Sequence, residues 1–198
     1  VGGAEHATRH LIYARFWHKF LYDIGAVSGI EPFKQLKSVG LIAGPDGRKM
    51  SKRFGNVVNP DDVVKLYGAD TLRVYEMFMG PFDQGIAWST DNMIGSRRFI
   101  ERVWRLRQKV RQKVQIGKKD GADFADSKAV TSLLHKTIKK VGEDIDTFSF
   151  NTAISAMMIL TNAMEKEEAI SAEAYRSLLL ILAPFAPHMT EEMFATLP

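Results

Sequence analysis

The segment GPDGRKMSKRFGN, residues 44–56, sets Arg48, Lys49, Lys52 and Arg53 within six positions, with Met50 and Ser51 between them and Gly47 and Gly55 on either side. Four cations on a short glycine-flanked loop suit a compact polyanion. Holding a triphosphate while its α-phosphorus is attacked needs ammonium groups as point charges, a hydroxyl or amide donor, and a loop free to close and reopen. Lys49 and Lys52 supply the charge, Ser51 the donor, and the glycines can act as hinges. The GxxxxGK[ST] pattern of a Walker-type phosphate loop is absent. A solvated basic turn has the same composition, so the loop alone leaves both readings open.

A second constellation opens the chain. In VGGAEHATRH, Gly2 and Gly3 permit close approach of backbone to a ligand. His6 and His10, four apart, share one face of a helix. Two core histidines with satisfied ring nitrogens give the same spacing. Glu5, His6 and His10 are also metal-ligating types, but their order is not HExxH and no further ligand is apparent, so no metal site is assigned.

The third is a basic helix. Phe99, Val103, Leu106, Val110 and Val114 are spaced as the buried stripe of a helix 89–115. Arg98, Arg102, Arg105, Lys109 and Lys113 each stand one residue earlier, a parallel row about 100° around. Between Arg97 and Lys119 ten basic residues face Glu101 alone, and the compensating acids lie elsewhere, as in EKEE at 165–168. Exposed helices usually interleave charges for i,i+4 pairing, so a row without acids points to an anionic partner such as a nucleic-acid backbone. A solvated surface face is the competing reading. Trp88 and Trp104 could stack on bases, but their place near a domain junction predicts packing.

The elements that must position these residues follow from the pattern. A helix is predicted over 4–22, with apolar residues on two sides and therefore buried. SVGLIA (38–43) suits a strand and GPDG a turn. Asn59, Pro60, Asp61, Asp62 and Gly68 are start and stop signals for a helix, and Asp70 is expected to cap the next, 71–79, which Gly80-Pro81 ends. Beyond a loop at 80–88 the period is helical: 89–115, a polar connection GKKDGADFAD, then 127–146, 149–166, 171–183 and a last short helix after Pro184 and Pro187. The division falls near 80–90, mixed α/β before it and an all-α bundle after it.

The 198 residues include no cysteine, which excludes disulfides and thiolate metal sites, and no apolar run long enough to cross a bilayer. The net charge is +4. The chain starts without an initiator Met or a signal-peptide core, as expected of a piece of a longer protein.

KMSKR followed by GNVVNPDDVVKLYGADTLRVY resembles the KMSKS signature and downstream helices of class I aminoacyl-tRNA synthetases, with Arg53 in the place of the final Ser. GGAEHATRHLIY resembles the leucyl-tRNA synthetase branch of that class, and LLILAPFAPHMTEEMF resembles the end of its anticodon-binding domain. The resemblance implies a mainly α chain: the second part of a Rossmann-type α/β catalytic domain (1–80) and an anticodon-binding-type α-helical bundle (81–198). It implies that Lys52 contacts the ATP phosphates, that Lys49 assists as pyrophosphate leaves, that Ser51 is catalytic beside them, and that Met50 belongs to the same ATP-binding loop. It puts Gly3 and Glu5 by the adenosine ribose, Val39 and Leu41 near the adenine, and His6 and His10 beside the leucine side chain. The basic row would then meet tRNA.

The implied reaction is activation of leucine with ATP, accompanied by magnesium, and transfer to tRNA(Leu) by a cytoplasmic, monomeric parent enzyme. No HxGH motif occurs in the chain, so the fragment alone is expected to be inactive. A free-standing RNA-binding module with a vestigial nucleotide loop is the alternative.

Overall fold

A computed structural model describes residues 2–111 and 126–197. Helix formation begins in steps. A 3-10 turn (Ala4–His6) runs into a π-helical segment (Ala7–Leu11) and then into α1 (Ile12–Asp23). The expected helix over 4–22 is thus present as a continuous run of three helical types, but its expected burial is corrected: α1 has no buried residue, and Phe16 and Trp17 are 69% and 57% exposed.

Two short parallel strands follow, β1 (Ile42–Ala43) and β2 (Ile86–Ala87), with Ile42 opposite Ile86. The pairing extends upstream as single bonds: Gly40 N donates to Phe82 O, Val39 N donates to Gly2 O, and Gly2 bridges to Ser38. Only glycine fits at position 40, since a Cβ there would lie 1.9 Å from Gln84 O. Regular strand thus occupies the end of the expected 38–43 segment.

Between the strands lie α2 (Pro60–Tyr67) and α3 (Ala69–Phe78). Asn59 caps α2, accepting from Asp61 N at 3.2 Å, and Gly68, at φ 89°, ends it. Asp70 does not cap α3. That helix has no side-chain cap, and the Asp70 carboxylate reaches a distant helix instead.

The bundle comprises α4 (Thr90–Leu106), α5 (Lys128–Thr147), α6 (Phe150–Lys166), α7 (Ala172–Leu182) and α8 (Pro187–Ala195). Ser89, Ser127 and Ser171 cap α4, α5 and α7 by accepting amide hydrogens of the first turn. Apolar side chains at helical spacing fill the centre: Phe99, Val103 and Leu106 of α4 meet Ile154, Met157 and Leu160 of α6 and Leu178 and Leu182 of α7. The buried Tyr175 hydroxyl donates to Val103 O at 3.1 Å, and burial pushes its phenol above the ordinary range.

Helix α4 stops at Leu106, not near 115. A 3-10 turn (Arg107–Lys109) leads into β3 (Val110–Arg111), which pairs in parallel with β4 (Ile170–Ser171). The helical period continues through VWRLRQKVRQKV, but strand pairing and the bonds of Lys109 to backbone carbonyls override that local preference. Val114 and Lys113 lie outside the described residues.

A smaller cluster (Val63, Leu72, Tyr75, Trp88 and Met93) sits beside the bundle core, and Met50 and Val58 pack on it. Helix α3 serves both, with Val74 in the larger core and Leu72 and Tyr75 in the smaller. Trp88 packs edge-on against Tyr75, ring centres 5.1 Å apart. Trp104, expected to pack, is instead 44% exposed. Among the described residues no helix is long and apolar enough to cross a membrane.

Candidate functional site

The basic loop is shaped by one side chain that the sequence reading passed over. Asn56 Oδ1 accepts from Ser51 N at 2.8 Å, while Asn56 Nδ2 donates to Asp46 Oδ1 at 3.0 Å and approaches the carbonyls of Arg48 and Lys49 at 3.5 and 3.4 Å. A carboxamide suits this task because it accepts and donates from one rigid plane. The Asn56 bond, with the Arg48 amide and guanidinium behind it, holds the Asp46 carboxyl down at about 2. Gly44 leaves room for this: a Cβ there would lie 2.8 Å from Asn56 Nδ2. The signal in the sequence was the Gly-Asn pair closing the loop.

The loop's four cations divide. Arg48 is spent locally, with Nε 2.8 Å from Asp46 Oδ2 and its guanidinium over the Phe54 ring. Lys49, Lys52 and Arg53 are exposed, and among the described residues they form no ion pair. Ser51 caps a 3-10 turn (Lys52–Phe54), its Oγ accepting from Arg53 N at 3.2 Å. Its hydroxyl proton is left to donate. Gly55, at φ 64°, ends that turn in a conformation costly for other residues. Met50 points the other way, into the smaller apolar cluster. The loop thus leaves Lys49 and Lys52 open to solvent on a backbone anchored by Asn56, a combination able to receive an anionic ligand.

The opening constellation also comes together. Gly2, Gly3, His6 and His10 line one open cavity of about 330 Å³, with Leu11 and Leu36 as its apolar wall. The shared α-helical face expected of the two histidines is not what unites them, since His6 sits in the 3-10 turn and His10 in the π-helical segment. Gly3 lets the Glu5 carboxylate fold back over the backbone, as a Cβ would meet Glu5 Oε2 at 2.3 Å. Val39 and Leu41 are exposed on the strand segment and line no part of this cavity; Val39 lines another, of about 230 Å³, against Met77 and Phe82. Among the described residues no three His, Asp or Glu side chains gather as metal ligands.

The basic row of α4 is not one solvent-facing row, a correction that tertiary pairing explains. Arg102 forms a two-pronged pair with Glu165 of α6 and also donates to Asn162. Lys109 Nζ donates to Glu165 O at 2.6 Å and Glu167 O at 2.8 Å. Arg102 holds the Glu165 carboxyl below the usual carboxylate range, with Arg105 and Lys109 adding smaller effects. Arg98 and Arg105 remain exposed. Beside them Arg97, Ile100, Glu101, Trp104 and Met189 form with Arg105 a shallow cavity of about 440 Å³. The exposed Trp104 was missed because an aromatic near a junction reads as packing.

An anchored two-lysine loop beside a parallel strand pair, joined to a helical bundle, matches two families in succession. Residues 12–89 match the tRNA synthetases class I (I, L, M and V), and residues 127–197 match the anticodon-binding domain of tRNA ligase. The chain thus resembles, in chain order, a class I tRNA-synthetase segment followed by the anticodon-binding domain of a tRNA ligase. Within that class its relatives are leucine–tRNA ligases. It is 52% identical over 201 residues to that of Chloroherpeton thalassium, covering 100% of this chain and 24% of the relative. With that of Leptospira biflexa the identity is 51% over 200 residues, covering 100% and 22%. The chain thus spans about a quarter of the length of the curated relatives it matches.

A solved LeuRS from Agrobacterium radiobacter K84, a ternary complex with tRNA and LeuAMS, superposes with a TM-score of 0.81 at 36% identity, over 98% of this chain and 26% of that one. Mycobacterium tuberculosis methionyl-tRNA synthetase shares the fold, with a TM-score of 0.65 at 18% identity over 97% of this chain and 42% of that one.

Proposed function

We propose that this chain supplies the phosphate-binding loop and the tRNA-binding bundle of an enzyme that activates leucine with ATP and transfers it to tRNA(Leu). The observation that carries the reading is the loop braced by Asn56, with Lys49 and Lys52 exposed and unpaired among the described residues. Lys52 contacts the triphosphate, and Lys49 and Ser51 stabilise pyrophosphate as it leaves. Attack by the leucine carboxylate on the α-phosphorus gives leucyl-adenylate. No enzyme nucleophile takes part; positioning and charge supply the catalysis. Magnesium enters as part of the nucleotide substrate.

In this reading Gly3 and Glu5 flank the ribose, Val39 and Leu41 belong to the nucleotide side of the site, Met50 serves the ATP-binding loop by anchoring it to the smaller apolar cluster, and His6 and His10 border the leucine side chain. The cavity shared by Gly3, His6 and His10 supports that grouping. For tRNA, Arg98 and Arg105 are the phosphate contacts, while Arg102 and Lys109 brace the helix that carries them; Lys113 is assigned with the first pair on its sequence position. The domain division is drawn at 80/81, between Gly80 and Pro81. The enzyme is cytoplasmic and monomeric. Relatives that are ligases about four times longer favour this reading over a free-standing RNA-binding module.

The test is leucine-dependent ATP–pyrophosphate exchange by the full-length protein, with and without Lys52→Ala. Removing one preorganised charge donor lowers the rate by about 10²–10³-fold. Unchanged exchange in the variant would leave the loop a solvated turn. The isolated chain, without an HxGH motif, is expected to show no exchange.

A further inference from the structure

The last helix, α8, begins without a local cap: Ala186 stands at its N-cap and has no side-chain oxygen to accept the free amides of the first turn. The missing acceptor comes from 118 residues away. Asp70 Oδ1 accepts from His188 N at 3.3 Å, and Asp70 Oδ2 accepts from Met189 N at 2.6 Å. His188 Nδ1 lies 2.8 Å from Asp70 Oδ1. Asp70 is 8% exposed, so its polar atoms are satisfied inside the junction by the free amides at the positive end of α8, with the His188 ring alongside.

One turn further along α3, Arg73 Nη2 donates to Pro184 O at 2.8 Å, just past the end of α7. Helix α3 thus holds a carboxylate on the start of one closing helix and a guanidinium at the finish of another. Both signs match the helix dipoles. The same helix supplies Leu72 and Tyr75 to the cluster on which Met50 of the basic loop packs. Apolar packing between α3 and the bundle is non-directional, whereas charge-assisted hydrogen bonds fix an orientation.

We propose that Asp70, together with Arg73, is a positioning residue that sets the bearing of the bundle on the phosphate-binding loop, so that a tRNA held by the bundle is delivered in register to the adenylate. The proposal rests on the function argued above. It predicts a split between the two half-reactions: adenylate formation uses only the loop side of α3, and transfer to tRNA needs both sides aligned.

The experiment compares wild type, Asp70→Ala, Asp70→Asn and Arg73→Ala in the full-length protein, by leucine-dependent pyrophosphate exchange and by leucylation of a tRNA(Leu) transcript. Asp70→Ala is expected to lower kcat/KM for tRNA by about 10-fold or more, the size of a typical coupling between sites, with exchange held within about twofold. Asp70→Asn keeps one oxygen for an α8 amide and should recover part of the loss. If Asp70→Ala fails to fold, the Asn and Arg73 variants carry the same comparison. Parallel losses in both assays would assign Asp70 a merely structural role, and no loss in either would remove it from the reaction; both overturn the proposal. A wild-type protein without leucine-dependent exchange would overturn the functional reading, and this proposal with it.

Discussion

Among the described residues of 2–62 Gly44 alone is buried, whereas every helix of the bundle contributes side chains that are closed to solvent. The first region holds its shape by directed polar bonds: Asn56 across the basic loop, Gly2 against the 37–39 segment, Arg15 on Glu31. The second holds its shape by interlocking apolar side chains, with polar bonds added at helix ends. The difference divides the labour between geometry and cohesion. Charged ligands need exposed donors on a backbone that can move, and a core would bury them at high cost. A platform for a large partner needs rigidity, which close packing supplies.

That contrast can be broken by substitution. The largest effect on folding belongs to the bundle: Leu178→Ala, at a fully buried position of α7, should cost about 2–5 kcal/mol in chemical denaturation of this chain. A loss below about 1 kcal/mol would mean the core is loosely packed. Next comes Lys52→Ala, with its expected loss of about 10²–10³ in exchange rate in the full-length protein and no change in the stability of this chain. A destabilised Lys52 variant would show the loop to be part of the scaffold and the contrast too sharply drawn.

A smaller effect sharpens the reading of α4. Glu165 has its carboxyl lowered in the folded state, chiefly by the Arg102 hydrogen bonds. The pair therefore contributes fully above the ordinary carboxylate value of 4.5 and loses its contribution as pH falls below it. Arg102→Ala should cost about 1–2 kcal/mol at pH 7 and remove that part of the acid dependence in thermal melts. By contrast, Arg98→Ala with Arg105→Ala should leave the melts unchanged and flatten the salt dependence of tRNA binding by up to about two phosphate contacts. The reverse pattern would exchange the roles of bracing and binding residues. The smallest effect lies on α1, where Phe16→Ala, at an exposed position, should shift the stability of this chain by no more than about 0.5 kcal/mol.

The sequence by itself determined the local features. Asn59, Pro60 and Gly68 bound α2, serines open three bundle helices, and the helical period located five of the later elements to within a few residues, apart from the end of α4. Each of those outcomes depends on neighbours within a turn or two, where side-chain type and backbone hydrogen bonding are directly coupled. The KMSKR and GGAEH segments stood out only through their resemblance to a known class; their residue types alone left a solvated turn and core histidines open.

Only the tertiary structure decided which charges are already spent. Glu165 is 63 residues from Arg102 in the chain, so counting acids along α4 missed the partner that fixes it. Asp70 looked like the cap of its own helix and is the cap of α8, because a carboxylate satisfies whichever free amides the packing brings to it. Helix α4 stopped short of its period when a two-residue strand offered hydrogen bonds that the local sequence could not announce. Local propensity is worth tenths of a kcal/mol per residue, about 0.7 at most for ordinary residues, and contacts from remote segments outweigh it wherever the fold brings them close.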